Sequence, residues 1–151
     1  MNKLRRILTA VDFSEPARAA FDHALALSRL HDAELTVVHA VPSDRPFKWH
    51  ARERIALVGA LRDAAQTGGV RFKVSVQHGD PAGVILLHAT ARQADLIVLG
   101  TSERSRLDRF RFGSVAETVA LGATQPVLVV PPASGKAADP TVPFKNILVA
   151  V

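Results

Sequence analysis

Cysteine is absent from the 151 residues of this chain, and several classes of site are excluded with it. Without thiols there can be no disulfide framework, no thiolate zinc or iron–sulfur site and no cysteine nucleophile. Long apolar runs are also missing, since none approaches the roughly 20 residues of a membrane helix. The first residues lack the apolar core of a signal peptide. We therefore expect a cytoplasmic protein with no membrane segment.

Familiar catalytic motifs are lacking as well. The sequence holds no Walker-type phosphate loop, no dinucleotide-binding glycine fingerprint, no nucleophile elbow and no paired-histidine zinc motif. No acid, base and nucleophile form a recognisable triad. The sequence thus favours a binding protein over an enzyme. It indicates no metal site built from protein ligands.

The charge is positive, with 19 Lys and Arg against 14 Asp and Glu and a net charge of +5. The length fits one domain, because typical domains have roughly 100–150 residues. Four of the cations fall in a single short segment, at Arg104, Arg106, Arg109 and Arg111. This clustering favours a local site for an anion over binding to nucleic acid.

Short apolar runs alternate with segments of helical period along the chain. Ser14 and Asp80 are typical N-caps, and each is followed closely by a proline that the first turn of a helix accepts. Strands that alternate with helices form parallel sheets covered on both faces. The sequence therefore predicts an α/β fold. Its five strands are expected at residues 7–11, 35–41, 70–77, 96–99 and 127–130.

The main candidate for a binding site is the segment 100–115, which follows the fourth predicted strand. It runs from Gly100 through the arginines to Gly113 and Ser114, where a helix is expected to begin. A helix N-terminus offers unpaired N–H groups and a positive dipole end, which suit a phosphate. Gly113 would let the backbone approach an anion, and the Ser114 hydroxyl could both cap the helix and donate to a ligand. The alternative is a plain helix cap with solvated arginines.

A resemblance to a known family rests on five segments: 7–14 (ILTAVDFS), 79–81 (GDP), 94–100 (ADLIVLG), 113–117 (GSVAE) and 125–130 (QPVLVV). In order and spacing they resemble the universal stress protein family. The resemblance implies a Rossmann-like, doubly wound, five-stranded parallel sheet with strand order 3-2-1-4-5 and helices on both faces. It also implies a family domain over residues 1–131.

The family's ATP-binding pattern is Gly, two residues, Gly, nine residues, then Gly and Ser or Thr. Gly100, Gly113 and Ser114 match it, but Glu103 takes the place of the second glycine. A carboxylate there would repel phosphates and occupy their space. Arg104 and Arg106 are the expected phosphate contacts in the same loop.

By the same resemblance, Asp12 would contact the ribose or adenine side of a nucleotide and Ala40 the base, through its backbone. The alternative role for Asp12 is to cap the first helix. Mg²⁺ is expected to accompany the phosphates. The complete predicted nucleotide site is Ala10, Val11, Asp12, Ala40, Leu99, Gly100, Thr101, Gly113, Ser114 and Val115.

The resemblance implies a stress-response regulatory protein that binds ATP or another adenine nucleotide and acts on a partner protein. It also implies a homodimer formed through the fifth strand. The alternative is an interaction and dimerisation module of the same family in which the loop is degenerate and no nucleotide binds. Slow ATP hydrolysis is the enzymatic alternative, but no general base for it can be named in the sequence. Binding to nucleic acid or to a membrane is not expected.

The last residues resemble the first strand. Residues 144–151 (FKNILVAV) share four identical positions with residues 4–11 (LRRILTAV), and residues 132–143 between them and the domain have the composition of a linker. We expect residues 144–151 to be the first strand of a second copy of the domain, added to a sheet edge.

Overall fold

The computed structural model describes residues 3–44, 51–101 and 113–131. Within these ranges, four helices alternate with five strands. In chain order the elements are β1 (Arg6–Ala10), α1 (Glu15–His31), β2 (Glu34–Val41), α2 (Ala51–Thr67), β3 (Phe72–His78), α3 (Pro81–Ala91), β4 (Leu96–Gly100), α4 (Ser114–Gly122) and β5 (Val127–Val130). None of these four helices combines the length and apolarity that a membrane crossing requires.

The strands form one parallel sheet in the order β3-β2-β1-β4-β5. This confirms the predicted fold class and strand order. β1 lies at the centre, where Leu8 is in register with Thr36 of β2 on one side and with Ile97 of β4 on the other. From β1 the chain runs outwards through β2 to β3 at one edge, and it then crosses to β4 and β5 on the other side of β1. The carboxyl ends of β1 and β4 therefore form the point of reversal at which such sheets bind ligands.

The core has two layers because successive side chains of a strand point to opposite faces. Ile7 packs with Phe21 of α1 and Leu61 of α2 on one face. Leu8 packs with Ile85 of α3 and Val119 of α4 on the other face. All six side chains are buried, so the sheet is anchored to helices on both sides.

Both predicted N-caps are present. The hydroxyl of Ser14 accepts a hydrogen bond from the Ala17 N–H at 3.3 Å, and Asp80 Oδ2 accepts one from the Gly83 N–H at 2.9 Å. These caps fix where α1 and α3 begin. The N-terminal ends of both helices consequently lie just beyond the carboxyl ends of β1 and β3.

The strand predicted at residues 70–77 begins two residues later, at Phe72, and forms one edge of the sheet. Val76 is 40% exposed because it lies on this edge. On the face towards α3, the His88 ring nitrogen Nε2 lies 2.8 Å from Gln77 Oε1 and 3.3 Å from Ser75 Oγ. Burial, and secondly the charge of Arg92, lower the pKa of His88. Two polar side chains of β3, Ser75 and Gln77, thus contact a partly buried histidine of α3.

Candidate functional site

A cleft of about 210 Å³ lies at the carboxyl end of the sheet, where β1 and β4 separate. It is bordered by the N-terminal turns of α1, α3 and α4. Nine of the ten residues predicted for the nucleotide site line it. They are Ala10, Val11, Asp12, Ala40, Leu99, Gly100, Gly113, Ser114 and Val115.

The tenth residue, Thr101, is not among those that line the cleft. Its backbone N–H donates to the Val130 carbonyl at 3.1 Å, which extends the pairing of β4 with β5 by one residue. Thr101 therefore continues the sheet. Glu103, Arg104 and Arg106 lie outside the described residues, as do residues 132–143 and 144–151.

Six further residues, which the sequence did not indicate, also line the cleft. Three come from the cap and first turn of α1, two from α3 and one from α4. Pro81 and Ile85 are four residues apart and so lie on the same side of α3. The Asp80-Pro81 helix start, directly after a strand end, was the available signal for them. The six are Ser14, Pro16, Ala17, Pro81, Ile85 and Ala116.

The inner wall of the cleft is apolar and built largely from small side chains. Ala10 and Ala40 come from the ends of β1 and β2, and Leu99 from β4. Ile85 and Ala116 close the side towards α3 and α4. Alanines leave room that larger residues would fill, so this wall can accept a flat, weakly polar group such as a base.

Asp12 supplies a carboxylate at the edge of this cleft. Its Oδ1 accepts hydrogen bonds from the Ser14 N–H, at 3.0 Å, and from the Ser14 hydroxyl. The Ser14 oxygen in turn accepts from the Ala17 N–H. The alternative that Asp12 caps α1 is therefore wrong, because Ser14 is the cap. Asp12 is exposed, and its second oxygen can accept hydrogen bonds from a ligand hydroxyl or amine.

Gly100 has a packing role that is separate from any ligand. A Cβ atom at this position would overlap the carbonyl group of Pro16 and lie 2.8 Å from the Ala17 nitrogen. Backbone atoms cannot move aside as the end of a flexible side chain can. Glycine at the end of β4 thus allows the first turn of α1 to approach, and this approach sets one border of the cleft.

The N-terminus of α4 forms the opposite border. Gly113 is the N-cap, and no side chain caps the helix. The expectation that the Ser114 hydroxyl caps α4 is therefore wrong, because Ser114 is already the first helical residue. Its side chain is exposed at the cleft. The first N–H groups of a helix have no acceptor within it, and its dipole is positive at this end. The arrangement suits an anionic group.

The described residues contain no group of three or more His, Asp or Glu side chains that could hold a metal ion. Asp12 is the one carboxylate among the described residues of the cleft lining, so a cation there would draw on ligand atoms of the bound molecule as well. Phosphate oxygens are typical donors for Mg²⁺ in such a case.

Comparison with known proteins agrees with this architecture. Residues 3–131 match the family model of the universal stress protein family. A universal stress protein of Methanocaldococcus jannaschii is 31% identical over 142 residues, which cover 85% of this chain and 83% of that protein. A putative universal stress protein of Staphylococcus aureus strain USA300 is 34% identical over 143 residues, covering 83% of each.

Solved structures show the same fold. The universal stress protein from Archaeoglobus fulgidus, solved in complex with dAMP, is 26% identical, with a TM-score of 0.68 over 85% of this chain and 99% of that one. Two more distant universal stress proteins have TM-scores of 0.68 and 0.65, at 21% and 19% identity. The first was solved with cAMP and the second, from Arabidopsis thaliana, with AMP bound. From the family model and the curated relatives, this chain belongs to the universal stress protein family.

Proposed function

We propose that this protein binds an adenine nucleotide in the cleft and acts as a stress-response regulatory protein. The observation that carries the proposal is the order of chemical groups along the cleft. An apolar wall is followed by the Asp12 carboxylate on one side and by the positive end of α4 on the other. The relatives solved with dAMP, cAMP and AMP support the same ligand class.

In the proposed arrangement, the base lies against the alanine wall near Ala40 and the ribose lies near Asp12. The phosphates lie at the N-terminal turn of α4, where Gly113, Ser114 and Val115 line the cleft. The nucleotide is ATP or a related adenine nucleotide. With a di- or triphosphate, Mg²⁺ bound to the phosphate oxygens would reduce their negative charge. Arg104 and Arg106 are proposed to add positive charge to the phosphate side.

Binding, not hydrolysis, is proposed as the function. Asp12 is the one carboxylate among the described residues of the cleft wall, and its Oδ1 already accepts two hydrogen bonds from Ser14. We propose that nucleotide occupancy in the cytoplasm biases contacts with a regulatory partner protein. β5 pairs with β4 on one side, and a homodimer formed through its other edge is proposed as the assembly.

Isothermal titration of the purified protein with Mg-ATP and with AMP tests the proposal. Saturable binding is expected, and Asp12→Ala should weaken it roughly 10- to 100-fold, since a hydrogen bond to a charged group contributes about 1.5–3 kcal/mol. Asp22→Ala is the matched control, because Asp22 pairs with Arg18 on α1 and does not line the cleft. No heat and no thermal shift with millimolar nucleotide would overturn the proposal.

A second candidate function is an interaction module that binds no nucleotide. Two observations favour it: Glu103 replaces a glycine of the family's pattern, and Gly100 is already explained by its packing against Pro16. The absorbance spectrum of the purified protein separates the two functions. Because the chain has one Trp and no Tyr, a copurified nucleotide would dominate the spectrum near 260 nm. Glu103→Gly is expected to tighten nucleotide binding if repulsion by the carboxylate limits it.

A further inference from the structure

Phe13 lies between two cleft residues in an unusual backbone conformation. Its φ is 69°, in the left-handed region that bulky side chains rarely adopt. Phe13 is 41% exposed, and its ring packs against the ring of His39 on β2, with 4.5 Å between ring centroids and 53° between ring planes. The unfavourable conformation persists, so contacts around it must hold it. The His39 ring is one such contact.

His39 also holds the residue before Asp12. Its Nδ1 lies 2.7 Å from the Val11 carbonyl oxygen. A carbonyl oxygen can only accept, so Nδ1 carries the hydrogen and donates it. The Val11 N–H donates in turn to the Val38 carbonyl at 2.9 Å. Both backbone polar groups of Val11 are therefore bonded to β2, and Asp12 is flanked on both sides by residues that β2 holds.

The two rings hold this loop from behind the cleft. Side chains alternate along β2, so His39 shares a face with Val37, which packs on the α1 and α2 side. Ala40 points to the opposite face, with the α3 and α4 layer, and lines the cleft. Neither Phe13 nor His39 is among the residues that line the cleft. Their effect on a ligand must therefore pass through the loop.

We propose that Phe13 and His39 form a positioning pair that holds the Asp12 carboxylate towards the ligand. The inference rests on the proposed nucleotide function, which it deepens by assigning the orientation of Asp12 to residues outside the cleft. In this arrangement the ring of Phe13 fixes the backbone on the carboxyl side of Asp12, and His39 fixes it on the amino side. The hydrogen bonds from Ser14 to Asp12 Oδ1 then leave Oδ2 for the ribose or base.

The test is a set of Phe13 variants, each made with Asp12 present and with Asp12→Ala. Phe13→Ala and Phe13→Gly both remove the ring, but glycine also removes the backbone strain. Phe13→Tyr keeps the ring. In calorimetric titration we expect both ring-removing variants to weaken AMP binding roughly 5- to 20-fold, which is the effect of losing one polar contact. Phe13→Tyr should keep the wild-type affinity for AMP. In the Asp12→Ala background, removing the ring should change the affinity less than twofold.

Gln93→Gly is the matched control for backbone strain. Gln93 also has a positive φ, of 51°, but it precedes β4 at the opposite end of the sheet. This variant is expected to change stability without changing AMP affinity. A ligand-independent readout is the hydrogen exchange of the Ser14 amide, which donates to Asp12. We expect that amide to exchange faster in Phe13→Ala than in the wild type, and to be unaffected in Gln93→Gly.

The outcomes separate this inference from the proposed function. If the wild-type protein does not bind AMP, the proposed function is overturned, and the ligand role of the pair with it. If AMP binds and Phe13→Ala weakens it equally with and without the Asp12 carboxylate, the pair does not act through Asp12 and only the inference fails. The same conclusion follows if Phe13→Ala leaves both the affinity and the Ser14 exchange rate unchanged.

Discussion

Gly100 at the end of β4 faces the carbonyl group of Pro16 so closely that a methyl group on its Cα would overlap it. This contact joins the strand that carries the family's first motif glycine to the first turn of α1. It is made by backbone atoms alone. The winding direction of the sheet reverses between β1 and β4. The contact therefore brings Pro16, which follows β1, and Gly100 of β4 to one border of the cleft.

Gly100→Ala is expected to lower the free energy of unfolding by about 1–3 kcal/mol, the usual cost of overpacking against a rigid neighbour. The measurement is urea unfolding without nucleotide, because the cost arises from packing. Gly59→Ala is the matched control, since nothing lies near the added methyl group within α2. It should raise stability by about 0.5–1 kcal/mol. Equal stabilities for Gly100→Ala and the wild type would contradict the packing role.

Asp95→Ala is expected to cost about 1–3 kcal/mol of stability without weakening nucleotide binding. Asp95 Oδ2 accepts hydrogen bonds from the N–H groups of Arg5 and Arg6, at 2.8 and 2.9 Å, and so ties the start of β4 to the start of β1. Removing it leaves these donors without that acceptor. Chemical denaturation and titration with AMP check the two expectations. A loss of affinity in the folded variant would show that the two ends of the sheet are coupled.

Ser28→Ala is expected to stabilise the protein by about 1 kcal/mol, since burial of an unpaired hydroxyl is unfavourable. Ser28 on α1 is fully buried, and its hydroxyl has no hydrogen-bond partner within the described ranges. Thr9→Val provides the contrast, because the buried Thr9 hydroxyl donates to the Val98 carbonyl at 2.9 Å. It should lower stability by a similar amount. Thermal unfolding of both variants should give shifts of opposite sign.

His88 is expected to make stability depend on pH. Burial, and secondly Arg92, lower its pKa in the folded state, so the unfolded chain binds a proton there more readily. Stability from this group is therefore present above about pH 6.5, the ordinary pKa of histidine, and is lost as the pH falls below it. Urea unfolding between pH 7.5 and about 5 measures the loss. His88→Gln should reduce that loss, and an unchanged pH dependence would contradict the assignment.

The fold was predictable because its signals are local. Apolar runs, helical periodicity and the caps at Ser14 and Asp80 are each read from a few neighbouring residues. The site was less predictable, because its roles depend on residues far apart in the chain. Gly100 suggested contact with a ligand, and it does line the cleft, but the atoms that require a glycine there belong to Pro16 and Ala17 of α1.

Ser114 shows a second kind of error. Serine is a favoured cap residue, but the position of a cap depends on where the preceding chain leaves the helical conformation. Here that residue is Gly113. The contribution of Ile85 to the cleft likewise depends on how α3 packs over β1 and β2, which no local pattern specifies.

The alanines at positions 10 and 40 have a consequence for how this site can change in evolution. Both are only partly buried, and each contributes to the cleft mainly by being small. A larger side chain at either of them would occupy the cleft without removing a backbone hydrogen bond of the sheet. Ligand capacity and the ability to fold are therefore separate traits in this domain, so a lineage can discard the first by a single substitution and retain the second.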